Sequence, residues 1–284
     1  MGQVTLWCAR LRAVAHAAWR YARSAPGTYL WLTILLGTTI LLKHFDPAFR
    51  HTFLVHRSTN LHELEHRPVR VLIDSALYID GPSWWPYLVL YTVFHAQAER
   101  WLGTGKWLLI AATAHVGATY ISEGDLYWLI NHALAPASER RVLDVGVSYA
   151  LAGIEAVLAY KLVPRWRAPY AAALLAYHGA PLLSADRTFT DVGHFSAALI
   201  GFACYPLAAY TFTGGRPHRS DYPMLDPAAL LRTLIRTVRT RAAHQHGAQP
   251  ANASLRPQLS SPLRPPRRTS GPQDRRRPDR PGGP

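Results

Sequence analysis

The sequence predicts an all-α membrane protein, a bundle of six transmembrane helices followed by a disordered basic C-terminal tail. Three observations predict it. Apolar stretches recur through the first 213 of the 284 residues, the composition changes once near Gly214, and positive charge gathers at both ends of the apolar body. The stretches fall at 29–42, 84–102, 106–122, 145–163, 168–184 and 191–213. The first is the apolar core of a membrane helix, and each of the other five approaches the ~20 residues needed to cross a ~30 Å hydrocarbon core. Several carry Gly, Ser, His or Glu, which suits helices that pack on one another rather than face lipid all round.

Residues 1–27 hold Arg10, Arg12, Arg20 and Arg23 and no acid. They read as a basic cytoplasmic segment before the first span. The competing reading, a signal peptide, lacks a small-residue cleavage site before Lys43. The membrane domain is expected at 28–213. Its first connection, 44–83, is polar and rich in histidine, with Pro68 and Gly81-Pro82 as breakers. The apolar content of 60–85 suits a segment in the outer interface, with Trp84, Trp85 and Tyr87 anchored at headgroup depth.

Six spans place both termini on one side, and the positive-inside bias makes that side the cytoplasm of a multi-pass cell-membrane protein. Lys106, Lys161, Arg165 and Arg167 then fall inside, while Glu123, Asp125, Glu139 and Asp186 fall outside. Arg140, Arg141 and Arg187 oppose this and are outweighed by the termini.

After Gly214 fourteen arginines stand against four aspartates. Residues 214–244 read as a cytoplasmic linker with one helix, begun by Asp226-Pro227 as N-cap and first turn. Leu230, Leu231, Leu234, Ile235 and Val238 share a face opposite Arg232, Arg236 and Arg239. This predicts an amphipathic helix on anionic lipid at the inner leaflet. Residues 245–284 are rich in Pro, Arg and Ser and predict disorder. The net charge of +14 suits nucleic acid or an anionic membrane, and the spans favour the membrane. Cys8 and Cys204, at opposite ends of the body, make neither a disulfide framework nor a cysteine metal site. No cofactor is expected.

Polar groups inside spans are costly, so each is a functional candidate. They are Glu99, His115, Ser148, Glu155, His178, Asp191 and His194. With the amino terminus inside, the fourth and sixth spans both run inward, and Ser148 and His194 lie at similar shallow depth in them. A serine–histidine dyad needs that placement, with base and hydroxyl in hydrogen-bond reach. Gly146 and Gly153 thin one helix, and Gly193 and Gly201 the other.

These residues resemble the rhomboid intramembrane serine proteases. Glu99 followed by Gly103-Thr104-Gly105 looks like the rhomboid segment in which a glutamate precedes a Gly-x-Gly turn. Gly146-Val147-Ser148 is similar to the start of the Gly-x-Ser-Gly nucleophile motif. The stretch from Gly193-His194 to Gly201 looks like the Ala-His-x-x-Gly-x-x-x-Gly of the last rhomboid helix. The resemblance covers roughly residues 28–213. It implies Ser148 as nucleophile and His194 as base, without an aspartate, acting on single-span membrane proteins. It also implies that Glu99, Gly103, Gly105, Gly193 and Gly201 are structural, and that Gly146 supports the site.

Two departures bear on activity. Tyr149 replaces the second motif glycine, which predicts crowding of the oxyanion site or an altered bend. The family's His and Asn early in the second span correspond to Ser83 and Tyr87, whose hydroxyls can donate to an oxyanion. Two readings follow, an active protease and a pseudoprotease that binds transmembrane segments without cutting.

A third reading comes from His62-Glu63-Leu64-Glu65-His66, a match to His-Glu-x-x-His. On a helix both histidines would bind zinc, with Glu63 as base. Pro68 disfavours helix at Arg67, and Val69 and Leu72 stand where an extended motif needs Gly and His. A membrane zinc hydrolase is therefore the weakest of the three.

Overall fold

The computed structural model describes residues 2–81, 83–209, 225–233 and 235–236. The chain divides into two compact units, 1–230 and 231–284. In the second unit residues 231–233 and 235–236 are helical. The first is helical throughout, with a single β-bridge, Leu162 to Leu225, outside the helices among the described residues.

The amino-terminal segment forms α1 (Gly2–Arg23), and α2 (Pro26–Lys43) follows at a bend of 101°. The His-rich connection folds into three short helices, α3 (Pro47–Val55), α4 (Leu61–His66) and α5 (Pro68–Ser75). Asp46 and Asn60 cap the first two, each accepting amide hydrogens of the following turn. The second stretch is one run of α6 (Trp85–Leu90), a π turn (Tyr91–His95) and α7 (Ala96–Leu102). Then come α8 (Thr104–Asn131), α9 (Val147–Val157), α10 (Pro164–Gly179), α11 (Phe189–Ala203) and α12 (Tyr205–Ala209).

The helical runs coincide with the six apolar stretches. Even so, among the described residues no single helix is long and apolar enough to cross a membrane. Only the bent pair α1 and α2 reaches that length and hydropathy, and only jointly. The expected spans are built from pieces. The second is split by the π turn, and α9 and α10 continue as 3-10 turns over Leu158–Lys161 and Ala180–Leu183. Helix α8 outruns the expected 106–122 by nine residues, because Glu123 is buried and Asp125 pairs with Arg187 at 3.0 Å. Acidic residues that read as loop are thus inside a helix.

Glu99 of α7 joins three elements. Ala25 offers no side-chain cap to α2, and Glu99 supplies one from 71 residues away. It accepts the Gly27 amide at 2.8 Å, the Thr28 amide and hydroxyl at 2.7 Å each, and the Thr104 hydroxyl at 2.7 Å. A carboxylate on orphan amides at a helix start is favoured by hydrogen bonding and by the dipole. Gly27 allows the approach, since a Cβ there would lie 2.6 Å from the Trp107 ring. The intervening turn needs Gly103, whose φ is +81°. At Gly105 a Cβ meets open space.

The core is the packing of α8, α9 and α11. A Cβ on Gly201 would sit 2.2 Å from the Gly153 carbonyl oxygen, and one on Gly153 2.2 Å from the Ala114 Cβ. A Cβ on Gly117 of α8 would sit 2.7 Å from Ile200.

Leu225 exchanges backbone bonds with Lys161 and Val163, both at 3.1 Å. Asp226 accepts from Arg165, from the Trp166 indole and from the Ala228 amide of the helical turn it opens. Of the predicted amphipathic face, Leu230, Leu231 and Ile235 are exposed, while Leu234 and Val238 lie outside the described residues, as does 245–284.

Glu99→Ala should lower stability in reversible unfolding from mixed micelles by about 3 kcal/mol or more, since four donors lose a buried acceptor. Gly103→Ala should cost about 1–3 kcal/mol through its backbone conformation, and Gly105→Ala under about 0.5 kcal/mol.

Candidate active site

Ser148 is the second residue of α9, after Gly146 at the N-cap. The first amides of a helix, here including that of Ser148, have no acceptor within it, and Gly146 offers no side-chain cap. The glycine makes room for His115 of α8, since a Cβ would lie 1.8 Å from that ring. His115 in turn bonds the Leu72 carbonyl at 2.9 Å, tying α5 to α8.

His194 lies in the second turn of α11. This helix begins with a capping box, in which Asp191 accepts the Thr188 amide and hydroxyl at 2.8 Å each. Asp191 is therefore a structural cap. As a neutral imidazole His194 carries one acceptor nitrogen.

Ser148 and His194 line one cavity of about 740 Å³, bounded by α6, the π turn, α9, α10 and α11. Tyr87, Glu155, His178 and Asp191 line it too. Ser83 is outside the lining, so only Tyr87 of the two expected hydroxyl donors reaches it. No hydrogen bond joins Ser148 to His194 among the described residues.

Tyr149 corrects an expectation. Its side chain does not line the cavity; it is fully buried on another side of α9. Its ring fills the space left by Gly193, where a Cβ would be 2.5 Å from the phenol oxygen. Its hydroxyl donates to Asp144 at 3.0 Å, and Asp144 also accepts the Thr59 hydroxyl at 3.3 Å.

The His194 imidazole contacts two anchored rings. Tyr149 meets it edge-on, centroids 5.0 Å apart at 71°. His178 of α10 lies nearly parallel at 6.1 Å and 14°. His178 is itself bonded to Glu155 at 3.3 Å, both are buried, and the Tyr170 hydroxyl donates to the Glu155 carbonyl at 2.9 Å. In the sequence His178 and Glu155 read as polar span residues and not as part of the site. The spacing of Ser148, Leu151, Ala152 and Glu155 repeats one helix face, and all four line the cavity.

The His-Glu-x-x-His segment is occupied otherwise. Glu63 accepts from His56 at 2.8 Å. The His66 ring bonds the His62 carbonyl at 2.7 Å, and α4 ends at Arg67, whose φ is −145°. Burial raises the Glu63 pKa, but the hydrogen bond and charge of His56, with His62 and Arg67, hold it below the usual value. Among the described residues no group of three His, Cys, Asp or Glu is arranged to hold a metal.

Two predictions follow from Tyr149 and its anchor. Gly193→Ala and Tyr149→Ala should each destabilise, and the double variant should lose about 1–3 kcal/mol less than their sum, measured by a double-mutant unfolding cycle. Asp144 lies just outside the fourth apolar stretch, and burial pushes its carboxyl from 3.8 up to about 6, against the lowering effect of its Tyr149 and Thr59 hydrogen bonds. A carboxyl raised by folding binds its proton more tightly in the native state. Stability should therefore fall as pH rises through this window, by roughly 2–3 kcal/mol. Glu123 of α8 is the neighbouring carboxyl. Unfolding followed across that window should show the fall in the parent and its loss in Asp144→Asn.

A family model described as Rhomboid-like protein matches residues 20–213. No curated protein and no solved structure matches the chain.

Proposed function

Because the chain belongs to the rhomboid-like family of membrane proteins, we propose that it is an intramembrane serine protease that cleaves single-span membrane proteins with Ser148 and His194. In this reading α2, the α6–α7 run, α8, α9, α10 and α11 cross the cell membrane, with both termini in the cytoplasm beside their arginines. The observation that carries it is the shared cavity, which Ser148 and His194 enter from adjacent helices while Tyr149 is turned away.

The Ser148 hydroxyl attacks the scissile carbonyl carbon as His194 takes its proton. The carbonyl oxygen becomes an oxyanion, stabilised by the first amides of α9 and by the Tyr87 hydroxyl. Collapse breaks the C–N bond, and His194 gives its proton to the leaving amine. Water, deprotonated by His194, then hydrolyses the acyl-enzyme and restores Ser148. A single lost oxyanion donor typically costs about 2.7–4 kcal/mol of barrier. The α9 amides therefore offset part of what the replaced His and Asn would contribute.

The missing Ser148–His194 hydrogen bond favours a second reading, a pseudoprotease that binds transmembrane segments in the same cavity. Apo catalytic contacts are often long and tighten with substrate, which keeps the protease reading first. A zinc hydrolase at His62, Glu63 and His66 finds no third ligand among the described residues.

Purified protein should be labelled by a fluorophosphonate probe, with labelling abolished in Ser148→Ala and His194→Ala and slowed about 100-fold in Tyr87→Phe. Folded wild type that stays unlabelled, judged by an unchanged melting transition, selects the pseudoprotease. Labelling that survives Ser148→Ala removes the dyad.

A further inference from the structure

The proposed site leaves α1 unexplained. This 22-residue helix contains no acid, and every described side chain from Trp7 to Arg20 is exposed. Trp7, Leu11, Val14 and Trp19 are each more than 60% exposed, a poor arrangement for a helix standing in water.

The helix wheel separates two chemistries. At about 100° per residue, Trp7, Leu11, Val14, Ala15, Ala18 and Ala22 fall within an arc of about 100°. Arg12, His16, Arg20 and Arg23 fall within about 80° on the opposite side, with Arg10 and Trp19 at the borders. An arginine-rich face opposite Trp and Leu is the pattern of a helix lying in a membrane interface.

Two structural facts orient that face. The bend of 101° sets α1 crosswise to α2. Its carboxyl end is held down by Tyr21, whose hydroxyl donates to the Thr92 carbonyl at 3.1 Å and accepts from Gln97 at 3.0 Å. The apolar arc then faces the α6–π run across a crevice of about 810 Å³, with Ala15, Ala18 and Ala22 on one wall and Leu88, Val89 and Val93 on the other. Val89 and Val93 are 59% and 51% exposed on their own helices. The apolar face of α1 thus looks toward the helices read as spans, and the arginines look away.

We propose that α1 lies in the plane of the membrane as an anionic-phospholipid site. Acyl chains fill the crevice between α1 and the α6–π run, and the phosphates meet Arg12, Arg20 and Arg23. The partner is identified by charge and shape: an apolar slot beside a span, under a helix whose polar face is purely basic. The inference rests on the reading that the α6–α7 run lies in the bilayer.

The test uses the full chain with Cys8→Ser and Cys204→Ser, spin-labelled at Val14→Cys, His16→Cys or Val93→Cys. Nanodiscs of phosphatidylcholine are compared with nanodiscs that also contain phosphatidylglycerol. With phosphatidylglycerol the ratio of oxygen to nickel-chelate accessibility should be several-fold higher at 14 than at 16. The joint change Arg12→Gln, Arg20→Gln and Arg23→Gln should return position 14 to its value in phosphatidylcholine alone. Water exposure at 14 with position 93 immersed overturns the proposal. Equal immersion with and without phosphatidylglycerol overturns the anionic assignment. Water exposure at 93 overturns the membrane reading beneath it.

Discussion

Helices α9 and α11 approach backbone to backbone at Gly153 and Gly201, where no Cβ fits on Gly201. The same two helices meet again where the Tyr149 ring occupies the space of a Gly193 side chain. Contacts 149 to 193 and 153 to 201 advance together, so the helices run in the same direction. Counted back from the crossing, Ser148 lies five residues up its helix and His194 seven. At ~1.5 Å per residue their levels differ by only about 3 Å. The crossing glycines therefore set the height at which hydroxyl and imidazole share a cavity.

The crossing also explains why a bulky residue can follow Ser148. A helix that begins at Gly146 turns successive side chains by about 100°, so Ser148 and Tyr149 face different neighbours. The phenol is directed to α11, where Gly193 leaves room, and is held by Asp144 from the loop before α9. From there it meets the His194 ring in a T-shaped contact, while His178, bonded to Glu155, lies nearly parallel to that ring. The residue that replaces a family glycine has become part of the frame of the imidazole.

Much of this was legible in the residues. The six apolar stretches give the helical runs, and the glutamate before a Gly-x-Gly turn is the one that accepts four hydrogen bonds, Glu99. What was not legible depended on which way a side chain turns. Tyr149 read as an obstruction because spacing shows its neighbour in sequence and not Gly193 in space. Glu123 read as the end of a span because its charge gave no sign of burial. The His-Glu-x-x-His segment lies on a short helix, but the use made of Glu63 is decided by His56 seven residues away. The amphipathic face of α1 was present in the same residues, yet its meaning needed the bend that sets it beside α6.

The polar residues within the apolar stretches allow a last step. Glu99 caps α2, His115 holds the Leu72 carbonyl, Glu155 and His178 hold each other, and Asp191 closes the α11 capping box. Hydroxyls elsewhere in the apolar helices fold back on the carbonyl one turn earlier, as Thr33, Thr39 and Thr113 do on Tyr29, Leu35 and Leu109. Ser148 cannot do so, because as the second residue of α9 it has no helical carbonyl one turn behind it. The hydroxyl is left with no hydrogen-bond partner among the described residues, on a cavity it shares with His194. A buried structural serine would have been cheaper one turn deeper in the helix, where its hydroxyl is satisfied. Its position in the first turn, beside helix-start amides and on a cavity shared with an imidazole, is what the proposed nucleophilic role requires.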